Sequence, residues 1–210
     1  MYGILLYDGV EPIDVGAAFG VLSMARRIAP GLEFAGIAAR KGEIVCANGL
    51  RVVSDHDFAS APAGMTDLIV TGGPGWVQAA KDAATLDFIR TTRARVASMC
   101  TGAMILDAAG LLDGRRSTTK REVFAGETPP LDLLAARRDA RPAAVVESGG
   151  VVTGGGVTLG IDVMFHCLAR SHGAAVAEEV ARVMEYGRAL AANKAALGYD
   201  VDGSGGTLVA

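Results

Sequence analysis

The sequence predicts an α/β protein in which a central, mostly parallel β-sheet is covered by helices on both faces. Short apolar runs of strand length alternate along the chain with stretches whose apolar residues recur at helical spacing. Most of these runs are apolar throughout, as is typical of strands buried on both faces. No repeat or linker-like segment interrupts the chain, so we expect one domain over residues 1–192 and a flexible tail over residues 193–210.

The first predicted unit is a strand followed by a helix. Residues 3–7 form an apolar run that ends at Asp8-Gly9, which predicts a buried strand and a turn. Pro12 suits the first turn of a helix. Apolar residues at helical spacing then predict a helix over residues 13–28, and Pro30-Gly31 ends it.

The same criteria predict the elements that follow. Asn48-Gly49 is a signal for a tight hairpin turn, and Ser148-Gly149-Gly150 is a second one. The predicted elements are a strand at 32–39, a hairpin of 42–46 with 50–53, strands at 67–71 and 96–99, helices at 82–93 and 101–109, an extended piece at 116–119, a short helix from 120, a helix at 131–138, a hairpin of 143–146 with 151–153, and a long helical region at 158–192.

Composition and charge exclude some classes of partner. The net charge is −3 and no basic run is present, so neither nucleic acid nor an anionic membrane surface is an expected partner. No apolar run is long enough to span a bilayer, and the apolar start lacks the basic leader of a signal peptide.

The three cysteines Cys46, Cys100 and Cys167 are far apart and form no C-x-x-C pair. That pattern disfavours a disulfide framework and a zinc site, and it is typical of a reducing, cytoplasmic environment.

Three loops are expected at one edge of the sheet. In open α/β sheets, ligands bind beyond the carboxyl ends of the strands. The loops that follow predicted strands there are residues 8–14, 72–76 and 100–102. They come from distant parts of the sequence, and we expect them to converge on one crevice.

Cys100 lies at the sharp break between a predicted strand and a predicted helix. The first N–H groups of a helix carry partial positive charge, which favours the reactive thiolate form of a cysteine placed there. A buried, inert core thiol fits the position equally well. For a nucleophile in such a turn we also expect a strained backbone.

Candidate partners of Cys100 lie in the other two loops. Asp14 either stabilises the start of the first helix or is an acid that shares a proton with the thiolate. Glu11, the competing acid, is expected to be exposed. Gly72 and Gly73 either form a simple tight turn or bring backbone N–H groups to a ligand, with the N–H groups of Gly73 and Thr101 as candidate oxyanion donors.

Histidine is not predicted to act with Cys100. The residue after Cys100 is Thr101, and none of His56, His166 and His172 is placed by the sequence to form a Cys-His pair. His166 lies in an apolar helical stretch and is interpreted as a core residue.

The motifs together resemble the ThiJ/PfpI superfamily, and within it the isonitrile (isocyanide) hydratase branch. The resemblance covers residues 3–186. The motifs that carry it are Pro12-Ile13-Asp14-Val15, Gly72-Gly73-Pro74-Gly75, Cys100-Thr101-Gly102, residues 109–116, Thr118-Thr119 and residues 152–162.

The resemblance implies a fold, a site and an activity. It implies a flavodoxin-like three-layer sandwich, with Cys100 as the nucleophile, Asp14 as its acid partner and Thr101 as a residue that orients the thiolate and water. It also implies a homodimer that hydrates a small-molecule isocyanide to an N-substituted formamide through a Cys100 thioimidate, without a metal or other cofactor. Peptidase-like members of the superfamily have a histidine directly after the cysteine of this turn. Thr101 stands at that position here, so the resemblance disfavours a peptidase.

Two other functions are compatible with the resemblance. The chain could be a small-molecule or redox sensor without turnover, similar to the sensory domains of AraC-type regulators, or it could have a glyoxalase-like activity. The chain departs from the hydratase pattern at three places: Lys120, residues 15–18 and residues 185–188. Lys120 follows the paired threonines at a position where the hydratases tend to have a histidine. These departures concern the choice of substrate more than the fold.

Overall fold

A computed structural model describes residues 1–203 and contains one large sheet, a separate hairpin and eight α-helices in that range. The strands are β1 Tyr2–Leu5, β2 Phe34–Ala38, β3 Gly42–Val45, β4 Arg51–Ser54, β5 His56–Asp57, β6 Asp67–Val70, β7 Arg95–Ser98, β8 Val145–Ser148, β9 Val151–Gly154 and β10 Tyr199–Val201. The helices are α1 Pro12–Arg26, α2 Trp76–Ala79, α3 Ala83–Thr91, α4 Gly102–Ala108, α5 Pro130–Ala135, α6 Gly160–His172, α7 Ala174–Val183 and α8 Gly187–Leu197.

The large sheet confirms the predicted fold class. Its strand order is β10-β8-β9-β7-β6-β1-β2-β5. Neighbouring strands are parallel except β8 and β9, which form the second predicted hairpin. Helices of the described chain cover both faces, and none of them combines the length and hydropathy needed to cross a membrane.

Alternating residues of each central strand pack into two separate cores. In β1 and just beyond it, Ile4 and Leu6 pack with α1, α6 and α7 on one face of the sheet. Leu5 packs with α3 and α4 on the other face. Both sets of side chains are buried, which explains why the strand reads as a continuous apolar run rather than as an alternating one.

The first predicted hairpin is confirmed as the antiparallel pair β3–β4. Its turn is built on Asn48 with φ 60° and Gly49 with φ 90°. These left-handed conformations are the ones that Asn and Gly tolerate best, so the Asn-Gly signal had a specific structural cause.

Two helical predictions were wrong. No helix begins at Lys120; its carbonyl oxygen accepts from the Leu131 N–H at 3.0 Å, so the segment closes a loop instead of starting a helical turn. The long helical region predicted from residue 158 is three helices, α6 to α8. Gly173 with φ 87° separates the first two, and Glu185 with φ 55° precedes the third.

The first part of the predicted tail is packed rather than free. Helix α8 continues to Leu197, and β10 pairs with β8. Asn193 and Tyr199 both hydrogen-bond to the buried carboxylate of Asp162, at 3.0 Å each. These contacts, which the polar composition of the segment did not predict, hold residues 193–201 on the domain. The rest of the predicted tail, from residue 204, lies outside the described residues.

Glycine at position 102 is required where α4 begins. A β-carbon on Gly102 would overlap the carbonyl oxygen of Val70 in the neighbouring strand. We therefore expect Gly102→Ala to lower the free energy of unfolding by about 1–3 kcal/mol. Gly16, in the middle of α1, has open space around its α-carbon and is the matched control. Gly16→Ala should be neutral or stabilising by up to ~1 kcal/mol. Urea unfolding of both variants measures the difference, and equal effects would contradict it.

Candidate functional site

The three predicted loops converge at the carboxyl edge of the parallel strands. The Glu11 N–H donates to the Gly72 carbonyl oxygen at 2.8 Å, and the Gly75 N–H donates to the Gly9 carbonyl oxygen at 3.0 Å. The Gly73 N–H donates to the Thr101 hydroxyl at 2.8 Å. The loops after β1, β6 and β7 are thus joined by direct hydrogen bonds, as the position of ligand sites in such sheets predicts.

Cys100 occupies the turn between β7 and α4 with a left-handed backbone, φ 50°. This confirms the expected strain, because a non-glycine residue in this region is costly unless its surroundings hold it. The Cys100 carbonyl oxygen accepts a hydrogen bond from the Thr119 hydroxyl at 2.7 Å. On the far side of the turn, the Gly102 N–H donates to the Met99 carbonyl oxygen at 2.8 Å. The side chain of Cys100 is buried, with 2% of its surface exposed.

Asp14 is fully buried beside this turn and is only half satisfied by hydrogen bonds. One carboxylate oxygen, Oδ2, accepts from the Gly72 N–H at 2.6 Å. The other, Oδ1, has no hydrogen-bond partner. Burial raises the pKa of Asp14 to about 7, with a smaller contribution from the negative charge of Glu11; the Gly72 N–H and the positive charge of Lys120 act in the opposite direction. Near neutral pH, Asp14 is therefore able to hold or release a proton.

Burial opposes the thiolate form that the helix N-terminus favours at Cys100. Burial raises the pKa of Cys100 to about 12, and the charge of Asp14 adds to the increase. Hydrogen bonds from the backbone N–H and the hydroxyl of Thr101, and the charge of Lys120, oppose it without overcoming it. The position at a helix N-terminus favours a thiolate, but here desolvation outweighs it.

Burial of Asp14 should make the stability of the protein depend on pH. Its pKa rises from an ordinary value of 3.8 to about 7 in the folded state. A carboxyl group that is harder to ionise when folded destabilises the protein as the pH rises from about 4 to 7, and this cost is complete above pH 7. The free energy of unfolding of Asp14→Asn, relative to that of the wild type, should therefore increase by up to about 4 kcal/mol as the pH rises from 4 to 8. Urea unfolding at both pH values measures it, and a pH-independent difference between the two proteins would contradict it.

A cavity of about 690 Å³ opens in front of Cys100 and Thr101. Glu11 lines it and is half-buried, so the expectation that this residue would be exposed was wrong. Asp14 is not among the lining residues; its charge raises the pKa of Cys100, and its Oδ1 forms no hydrogen bond to the thiol. The other lining residues are Ile13, Ala47, Asn48, Gly73, Pro74, Trp76, Lys120, Val123, Phe124, Glu127, Thr128, Pro130, Leu133, Val157 and Thr158.

The N–H groups of the glycine loop form hydrogen bonds to other residues of the site. The Gly72 N–H is taken by Asp14, and the Gly73 N–H, predicted as an oxyanion donor, is taken by the Thr101 hydroxyl. A β-carbon on Gly72 would meet the backbone and side chain of Cys100 and Thr101, so these glycines permit close packing of the loops. The Thr101 N–H, the other predicted donor, is directed at the Cys100 sulfur.

The histidines lie away from the cavity, as predicted. His166 is buried and contacts the Glu147 carboxylate at 2.6 Å, and His172 stacks on Tyr2 at a ring-centroid distance of 6.0 Å. Neither they nor His56 is among the residues that line the cavity with Cys100. Within residues 1–203, no group of three or more His, Cys, Asp or Glu side chains is arranged to hold a metal ion.

Two residues of the site were recognised in the sequence only through the motif that contains or precedes them. Thr119 supports the carbonyl group of Cys100, and Lys120 lines the cavity. The Thr118-Thr119 pair had been singled out as a motif, but its contact with a residue nineteen positions away depends on how the loop folds back.

Comparisons with known proteins place these features in a family. The family model described as the DJ-1/PfpI family matches residues 3–170. An isonitrile hydratase of Pseudomonas putida is 30% identical over 187 residues, which are 88% of this chain and 77% of the hydratase. A helix-turn-helix-type transcriptional regulator of Pseudomonas aeruginosa is 26% identical over 198 residues, which are 89% of this chain and 50% of the regulator.

Among solved structures, a ThiJ/PfpI family protein from Pseudomonas syringae superposes with a TM-score of 0.75 and 28% identity, covering 89% of this chain and 74% of that one. The family match spans the sheet from β1 to β9, the three converging loops and the cysteine turn, which carry the motifs of the resemblance. The chain belongs to the DJ-1/PfpI family.

Proposed function

We propose that the protein is an isonitrile hydratase that adds water to an isocyanide and releases an N-substituted formamide. The observation that carries the proposal is the pairing of a strained, buried Cys100 with a buried Asp14 whose pKa is about 7, at the wall of a cavity of about 690 Å³. The similarity to the hydratase of Pseudomonas putida supports it.

The first half of the reaction adds the thiol across the terminal isocyanide carbon. The carboxylate of Asp14 takes the thiol proton as Sγ attacks that carbon and the C–S bond forms. The carbon then carries a lone pair, to which Asp14 returns the proton. The product is a thioimidate, in which the former isocyanide carbon is bonded to hydrogen, sulfur and nitrogen. No leaving group is required, because the terminal isocyanide carbon is divalent and accepts both the nucleophile and the proton.

The second half releases the formamide. The carboxylate of Asp14 removes a proton from water as the oxygen adds to the thioimidate carbon, and Asp14 then passes that proton to the nitrogen. The C–S bond then breaks, the hydroxyl on carbon becomes the carbonyl of the formamide, and its proton returns to sulfur through Asp14. Thr101, whose hydroxyl and N–H both approach Sγ, stabilises the sulfur as it gains negative charge.

This chemistry requires a thiol and a carboxyl group but no histidine. Hydrolysis of an amide needs a general acid to protonate a departing amine, a role that histidine usually performs. The residues that line the cavity in the described chain include no histidine. A cysteine–carboxylic acid pair is sufficient for addition to an isocyanide.

A sensor of small molecules without turnover is the second candidate. The similarity to the regulator of Pseudomonas aeruginosa, which this chain matches over about half of the regulator's length, favours it. A redox sensor is less well supported, because the raised pKa of Cys100 leaves little of the thiolate that reacts with peroxide. Peroxide titration followed by mass spectrometry of the Cys100 peptide tests it, and a sensor is expected to oxidise selectively there.

Turnover of an isocyanide labelled with ¹³C at its terminal carbon tests the proposal. The wild-type protein should produce a labelled N-formyl group at a rate proportional to enzyme concentration, observed by NMR. Rapid acid quenching and mass spectrometry should detect the mass of the isocyanide on the Cys100 peptide. Binding of isocyanides without release of formamide would favour the sensor instead. The homodimer implied by the resemblance stays a prediction, which sedimentation analysis can test.

A further inference from the structure

Lys120 is held at the cavity wall close to the nucleophile. The residue before it, Thr119, donates its hydroxyl to the carbonyl oxygen of Cys100 at 2.7 Å. The carbonyl oxygen of Lys120 itself accepts from the Leu131 N–H at 3.0 Å. The backbone is thus anchored on both sides of the lysine, and its side chain lines the same cavity as Cys100.

The ammonium group of Lys120 has no carboxylate partner within residues 1–203. Its Nζ donates to the backbone carbonyl oxygen of Glu122. The other charged side chains that line the cavity are the carboxylates of Glu11 and Glu127, and the Glu127 carboxylate accepts from the Phe124 N–H at 3.3 Å. Lys120 is therefore the single cation among the cavity-lining residues of the described chain.

The charge of Lys120 acts on the reacting groups. It lowers the pKa of both Cys100 and Asp14. Most of the remaining wall is apolar; its apolar side chains are Ile13, Ala47, Pro74, Trp76, Val123, Phe124, Pro130, Leu133 and Val157. The wall thus combines an apolar surface, the carboxylates of Glu11 and Glu127, and one cation without an ion-pair partner. The cation and the apolar surface suit a ligand with an apolar body and one anionic group.

We propose that Lys120 forms an anion subsite beside Cys100 and that the preferred substrate carries a carboxylate close to its electrophilic carbon. The assignment of that carbon as an isocyanide carbon rests on the proposed function. The subsite itself rests on the position of Lys120 and can be tested without turnover.

Alkylation of Cys100 with iodoacetate and with iodoacetamide tests the subsite. Both reagents react with sulfur in the same way: a C–S bond forms, and the C–I bond breaks to release iodide. They differ in that only iodoacetate is anionic. The ratio of their rate constants, measured at pH 9 on the Cys100 peptide by mass spectrometry, therefore reports the anion subsite. Any change in the ionisation of the thiol affects both reagents and cancels.

We expect Lys120→Gln to lower the ratio of the iodoacetate rate to the iodoacetamide rate by about tenfold. Lys120→Arg should keep most of the ratio, because the positive charge is retained. Lys81→Gln, at an exposed lysine outside the cavity lining, should leave it unchanged. An unchanged ratio in Lys120→Gln would overturn the proposal. Failure of both reagents to reach Cys100 in the wild type would do so too, since the subsite requires access to both groups.

Turnover then tests the substrate class. The KM of the wild-type protein should be lower for isocyanoacetate than for its neutral methyl ester, and Lys120→Gln should raise the first KM about tenfold while changing the second little. If no isocyanide is hydrated but the alkylation ratio depends on Lys120, the proposed function fails and the subsite stands. If both isocyanides are hydrated equally well and the ratio does not depend on Lys120, the subsite fails and the hydratase stands.

Discussion

Replacing Cys100 by serine is expected to lower kcat/KM for formamide production by at least about 10⁴-fold. A serine hydroxyl is far less nucleophilic than a thiol and holds its proton more tightly, so the attack on the isocyanide carbon should be much slower. The contacts that hold the turn involve the backbone of residue 100, so the fold should tolerate the change. NMR detection of the formyl product measures the rate.

Cys46 supplies the matched control for this loss. It is also a buried free cysteine, but it lies outside the cavity lining. Cys46→Ser should retain activity within a fewfold, and its thermal unfolding reports any cost of placing a hydroxyl in the core. Formamide production by Cys100→Ser within tenfold of the wild type would exclude a thioimidate intermediate.

Replacing Asp14 by asparagine is expected to lower kcat by about 10²–10⁴-fold, the usual contribution of a general acid–base group. The reactive form of the pair contains one proton, shared between thiol and carboxyl. It is populated when the pH is above the pKa of Asp14, about 7, and below that of Cys100, about 12. The kcat/KM of the wild type should therefore rise with pH up to about 7 and then level off. The Asp14→Asn variant should lack this rise.

Glu11→Gln separates the two acids that compete for the role. Glu11 lines the cavity, and its charge raises the pKa of Asp14. If Asp14 is the acid, Glu11→Gln should keep most of the activity and move the rising limb of the pH profile to lower pH. A loss of activity in Glu11→Gln as large as that in Asp14→Asn would show that the wrong carboxylate was assigned.

The architecture was predictable from the sequence because each central strand is buried on both faces. Residues 3–7 and 68–70 are continuous apolar runs for that reason, and the rule that ligands bind at the carboxyl edge then selected the three loops that converge in the structure. Strand β10 was not predictable in this way. It has three half-buried residues, and its place depends on contacts with Asp162 and Arg116 that are distant in sequence.

The ionisation of the site was harder to predict than its location. The argument from the helix N-terminus considered only local backbone charge at Cys100. The pKa of Cys100 also depends on its depth of burial and on the charge of Asp14, which both follow from the tertiary structure. For the same reason, Lys120 could be recognised as a departure from a motif but not as the cation of the cavity wall.

The packed C-terminal segment has a consequence for the behaviour of the protein at high concentration. Strand β10 covers the hydrogen-bonding groups of β8, which would otherwise form the outer border of the sheet. An uncovered border of this kind can recruit a strand from another chain and start aggregation. The new border is only three residues long, and Asp200 within it is ion-paired with Arg116. Short length and charge both discourage further strand addition, so β10 protects the sheet from self-association.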